Sequence, residues 1–234
     1  MSDLNSTTRS SSSAVKRALA FVAAAALLGG ATLSLAPTLL FAEEEAPSVP
    51  VEELMKPGDL PELAIGPADS KVVIVEYFSM TCPHCAEFAN KVIPEITKKY
   101  VDTGKVRFVF REFPHNNRAF AASMLARCVG DDKAVPMMEG LFATQADWAF
   151  KQDNPGFRQA LLEVAKQSGF TQESFEKCLT DQALLDKLSA QHKRAIEVFG
   201  INRIPTIFVN GKKLVGEPSL ANVEKLLEPL LSKS

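Results

Sequence analysis

The stretch Val72–Val73–Ile74–Val75–Glu76–Tyr77–Phe78–Ser79–Met80–Thr81–Cys82–Pro83–His84–Cys85 decides how this chain reads. An almost wholly apolar run, as expected of a strand buried on both faces, delivers two cysteines to a helix that starts at Pro83. Proline suits the first helical turn, because its missing N–H would have no intrahelical partner there and its φ is already helical. Cys82 is then the N-cap, and Cys85 lies one turn on along the same side, within disulfide reach. The two sulfurs are expected to differ. Cys82 sits exposed at the turn, near unpaired N–H groups that favour its thiolate, while Cys85 is partly covered. A stabilised thiolate leaves easily, so a disulfide that contains it oxidises its partners readily. His84, when protonated, adds a second favourable charge beside Cys82.

Zinc sites share the C-x-x-C spacing but need four ligands. Cys128 and Cys178 are single, distant from each other and without a nearby histidine, and the haem-attachment pattern fails because Ala86 follows Cys85. Dithiol redox chemistry, with no cofactor and no metal, is the expected use.

Outward from the cysteines, Leu63–Ala64–Ile65 reads as a short first strand. The helix from Pro83 is expected to run to about Tyr100, kinked at Pro94. Val106, Phe108 and Phe110 alternate with Arg107, Val109 and Arg111, a strand pattern. Ile204–Asn210 predicts a further strand, Asn210–Gly211 a two-residue hairpin turn, and Lys213–Val215 the return. A last helix follows the Ser219 cap, with Leu220, Val223, Leu226, Leu227 and Leu230 at helical spacing. Strand–helix–strand, then hairpin–helix, is the plan of an α/β thioredoxin-like fold over 61–115 and 201–234. Residues 116–200 show helical periodicity and no convincing strand, so an inserted helical subdomain is expected there.

Residues 43–60 are acidic, with Pro47, Pro50 and Pro57, and read as a linker. Ahead of them, Lys16–Arg17 precedes a stretch without charge from Ala18 to Ala42, the pattern of an export signal cleaved after Ala42. An uncleaved membrane anchor is the alternative. Either way the remainder lies outside the cytoplasm, where disulfides persist; the expected location is the periplasm. The full chain of 234 residues has a net charge of −2; without residues 1–42 it carries 23 basic and 27 acidic side chains, a net of −4. No basic run suggests a nucleic-acid partner.

Phe78–Ser79–x–x–Cys82–Pro83–His84–Cys85, the helical insertion and Ile204–Pro205–Thr206–Ile207–Phe208–Val209–Asn210–Gly211 together resemble the DsbA family of exported thiol oxidases. The resemblance implies Cys82 as nucleophile, Cys85 as resolving cysteine, and Pro205 as a cis-proline facing them. The backbone of Ile204 would then be free to pair with an extended substrate. Ile204 stands where many relatives carry threonine. The resemblance also implies reduced exported proteins as substrates and a quinone-linked membrane reoxidase of the DsbB type.

Glu76 lies inside the apolar run, where a carboxylate is costly unless paired or protonated. The resemblance gives it a role in managing protons for the buried cysteine; the alternative is an ion pair with Arg107 or Arg111. Cys128 and Cys178 are expected to form a structural disulfide, the alternative being two buried thiols. His115 and His192 are expected at the surface, Met124, Met137, Met138 and Trp148 in the core. The expected function is protein-disulfide oxidation through a mixed disulfide at Cys82. An exported reductase or isomerase is the alternative, and a non-catalytic thioredoxin-like binding module a more distant one.

Overall fold

A computed structural model describes residues 48–232; the expected leader at 1–42 and residues 43–47 lie outside the described residues. The described chain opens with a short helix, Val51–Leu54 (α1), then the strands Leu63–Ile65 (β1) and Val72–Phe78 (β2). Every residue of β2 is buried. Next come the helices Pro83–Lys91 (α2) and Ile93–Ile96 (α3), a π-helical turn at Thr97–Val101, and the strand Val106–Glu112 (β3). The single helix expected to Tyr100 is therefore interrupted at Val92. Pro94 offers no N–H to the preceding turn, so the ladder breaks there and restarts.

Six helices follow: Asn117–Cys128 (α4), Asp131–Ala143 (α5), Gln145–Trp148 (α6), Asn154–Gln167 (α7), Gln172–Leu179 (α8) and Gln182–Glu197 (α9). The chain closes with Thr206–Val209 (β4), Lys212–Lys213 (β5) and Leu220–Leu231 (α10), the last capped by the Ser219 side chain. The sheet order is β1-β3-β2-β4-β5, with β2 and β3 parallel and the other pairs antiparallel. Asn210 and Gly211, at φ 43° and 79°, make the tight turn between β4 and β5. The fold is α/β and thioredoxin-like, as expected.

Side-chain alternation along β2 divides the core. Ile74 and Phe78 belong to one apolar cluster with Phe108, Leu125, Met138 and Leu161, so the sheet and helices α4–α9 share one continuous interior. Val73, Val75 and Tyr77 face the other way, onto Phe199, Ile201 and Leu54.

Residues 48–55 are not a linker. Val49 N–H donates to the Gly211 carbonyl at 2.8 Å, Ser48 bridges Lys212, and Leu54 is buried. A Cβ at Gly211 would lie 2.0 Å from the Val49 carbonyl oxygen, so this glycine serves both the turn and the docked segment. Polar composition hides three apolar residues, Val49, Val51 and Leu54, whose partners at the Gly211 turn and on the Tyr77 face of the sheet are distant in sequence.

Candidate active site

The start of α2 is built locally. Cys82 is in extended conformation (φ −86°, ψ 120°), Pro83 takes the first helical position, and the Cys85 backbone N–H donates to the Cys82 sulfur at 3.4 Å. A sulfur thus acts as the helix cap. Both cysteines are unbonded, so the structure is of the dithiol form. Hydrogen bonding from the Cys85 thiol is the main influence holding the Cys82 pKa down, to about 6. Burial opposes it, and the N–H groups of Cys85 and His84 with the His84 imidazole assist. Cys85 is pushed well above the ordinary thiol range, first by burial, then by its hydrogen bond to Cys82 and by the Glu76 and Cys82 charges beside it.

Cys82 is more covered than its turn position suggests, at 8% exposure. The cause lies 122 residues away: the Ile204 carbonyl approaches the Cys82 sulfur to 3.9 Å, and the Ile204–Pro205 peptide bond is cis. The strand expected from Ile204 starts instead at Thr206, leaving Ile204 and Pro205 as a loop over the cysteine. His84 is exposed on the rim of a cleft of about 270 Å³ that Ile204 and Pro205 also line.

Glu76 lies under the pair, 1% exposed, with its Oε1 lacking any hydrogen-bond partner. Burial, and then the Cys82 charge, push its pKa up to about 8. No ion pair with Arg107 or Arg111 forms. Glu76 stands opposite Phe110, so the pleat turns both arginines to the other face. There Arg107 meets Glu62 at 3.0 Å, and Arg111 donates to the Tyr77 hydroxyl at 3.2 Å.

Cys82, Pro83, His84, Cys85, Glu76, Ile204 and Pro205 therefore converge. Cys128 and Cys178 stand apart, joined by a disulfide between α4 and α8. His115 is exposed but hydrogen-bonds Ser79 at 2.8 Å, and His192 is half-buried, stacked on Phe113 with ring centroids 4.2 Å apart. Neither imidazole touches a cysteine sulfur.

Gln145 was not anticipated. It is buried at the start of α6 and donates from one amide nitrogen to the carbonyls of Met80 (2.8 Å) and Cys82 (3.0 Å). Helix α6 thereby holds the turn that carries Cys82 directly. A lone glutamine among Ala, Thr and Asp carries no local signal of that contact. A larger cavity, about 750 Å³, opens on the Tyr77 face away from the cysteines. Its Arg107, Arg111, Arg127 and Arg194 already hydrogen-bond to carboxylates, carbonyls or the Tyr77 hydroxyl. Among the described residues no group of three or more His, Cys, Asp or Glu side chains could hold a metal ion.

A family model described as thioredoxin matches residues 59–229. A Rickettsia bellii (strain RML369-C) protein named for protein-disulfide oxidoreductase activity is 34% identical over 169 residues, 72% of this chain and 64% of its own length. A Rickettsia felis (strain ATCC VR-1525 / URRWXCal2) protein of the same name is 31% identical over 193 residues, covering 82% of this chain and 68% of that protein. The chain thus spans about two thirds of the length of these relatives. Among solved structures, Wolbachia pipientis alpha-DsbA1 superposes with a TM-score of 0.71 at 28% identity, covering 78% of this chain and 96% of that one. BdbD from Bacillus subtilis shares the fold, with a TM-score of 0.65 at 23% identity over 80% of this chain and 99% of that one.

Proposed function

The chain belongs to the thioredoxin family and is of the DsbA type, and from that premise we propose that it oxidises pairs of thiols in exported proteins. In the disulfide form, a substrate thiolate attacks the Cys82 sulfur and the Cys82–Cys85 bond breaks. The electron pair leaves on Cys85, whose sulfur then takes up a proton. A second substrate thiolate attacks the substrate sulfur of the mixed disulfide, and Cys82 departs as a thiolate. Two substrate thiols have become a disulfide, and the protein's disulfide has become a dithiol.

The asymmetry of the two sulfurs is the observation that carries this reading. Cys82 is held at about 6 and Cys85 well above its ordinary range, so Cys82 is the better leaving group and Cys85 the better proton acceptor. Glu76, poised near 8 and without a partner, supports a role in passing the proton to Cys85. The Ile204 carbonyl, beside Cys82, supports pairing with an extended substrate segment. We assign the protein to the periplasm, with a DsbB-type quinone-linked membrane protein as reoxidant, on the uncharged stretch 18–42 and the family resemblance.

A Cys85→Ala variant, made in an export-competent cell, tests the mechanism. Mixed disulfides are expected to accumulate through Cys82, to dissolve in reductant and to vanish when Cys82→Ala is added. Complexes that survive reductant would instead mark a binding module. The redox potential of the purified protein separates oxidase from reductase, and a value near that of thioredoxin, about −270 mV, overturns the oxidase reading.

A further inference from the structure

The cleft beside Pro205 carries charge that the disulfide chemistry does not use. His84, Arg203, Ile204, Pro205, Lys213 and Glu217 are among its lining residues. Arg203 is exposed and Lys213 half-buried, and neither side chain has an ion-pair partner among the described residues. Glu217 shares the cleft yet pairs with neither. Partial burial first, and then the nearby Arg203 charge, lower the Lys213 ammonium pKa, which places the two cations close to each other. The chain after residue 42 is net acidic at −4, so the sign of the charge here is opposite to that of the chain as a whole.

Position makes the charge useful. The same loop that carries Arg203 presents the Ile204 carbonyl to the Cys82 sulfur at 3.9 Å. A substrate segment entering a mixed disulfide at Cys82 must lie along this loop, and residues next to its reacting cysteine must pass the cleft. Carboxylates there would complete the two orphan cations. Lysines would meet like charge, a contact that slows encounter and weakens docking.

We propose that Arg203 and Lys213 form a selectivity site that favours reduced substrates carrying Asp or Glu beside the reacting cysteine. The inference rests on the oxidase reading above, whose substrate class it narrows. Ile207 and Leu214 give the cleft an apolar floor, so the preferred segment is acidic but not uniformly polar.

The test compares two dithiol peptides of one sequence that differ only in two residues flanking a cysteine, Asp-Asp in one and Lys-Lys in the other. Their oxidation by the disulfide form of the full exported chain is followed by stopped flow. Each rate is divided by the same peptide's rate with a small-molecule disulfide, which removes the direct effect of the flanking charge on its thiol. At low ionic strength the acidic peptide is expected to react about tenfold faster, and the advantage should disappear at about 1 M salt. Arg203→Glu with Lys213→Glu should invert the preference, and Arg203→Gln with Lys213→Gln should abolish it. Equal normalised rates with wild-type protein, or a preference unchanged in both double variants, overturn the selectivity site and leave the oxidase standing. Failure to oxidise either peptide overturns both.

Discussion

Two regions of the molecule contain the same chemical ingredients, a buried carboxylate and two cysteines, and use them in opposite ways. At the end of β3, Glu112 is fully buried and grips Arg127 through two hydrogen bonds of 2.5 and 2.6 Å, with Gln191 adding a third at 3.0 Å. The next residue, Cys128, is bridged to Cys178. Every reactive group there is tied. In the middle of β2, Glu76 is equally buried but has one oxygen without a partner, and the cysteines above it are unbonded. Burial is common to both regions, so burial does not assign a role. What separates a fastening from a reactive centre is whether the buried group has been given a partner.

The contrast can be tested from both sides. The largest effect is expected at Glu76. Its carboxyl binds a proton more tightly in the folded than in the unfolded chain, so its contribution to stability is fullest below about pH 4.5 and is lost as pH rises towards 8. That window corresponds to about 5 kcal/mol. Cys82 acts in the opposite sense, stabilising the dithiol form increasingly from about pH 6 to 9. The informative quantity is therefore the difference between wild type and Glu76→Gln in one redox state, by denaturant unfolding from pH 4.5 to 8. A pH-independent difference would sink the account of Glu76 as an unpaired buried acid.

Arg127→Ala should destabilise the fold by about 3–5 kcal/mol, because it strands the Glu112 carboxylate in the interior. Its Cys82 thiol should titrate as in wild type, which ultraviolet thiolate absorbance can follow; a large shift there would mean the two regions are not separate. Replacing Cys128 and Cys178 together by serine should cost about 4 kcal/mol, given the 50-residue separation of the bridge. Peptide oxidation per folded molecule should stay unchanged. The smallest effect is expected from Gln145→Leu, at about 1–3 kcal/mol. Without its amide the turn around Met80 and Cys82 loosens, and the Cys82 pKa should move up from about 6; an unmoved pKa would reduce Gln145 to packing.

Local chemistry made much of the fold legible. The apolar run of β2, Pro83 after a capping Cys82, the Asn210–Gly211 turn and the Ser219 cap each place an element by interactions among near neighbours in the chain. The composition of residues 48–55 misleads for the same reason: their neighbours are acidic and proline-containing, while their backbone pairs with a distant hairpin and Leu54 packs on the Tyr77 face of the sheet.

The cysteine pair, the start of its helix and the chain order of the five strands and the last helix were therefore legible in the sequence alone. They depend on backbone preferences and side-chain periodicity that act within a turn or a pleat. Only the tertiary structure decided that Ile204 covers Cys82, that Gln145 holds the turn, and that Glu76 faces the thiols while Arg107 and Arg111 face Glu62 and Tyr77. These depend on strand register and on contacts between segments 34 to 122 residues apart, which no local pattern encodes.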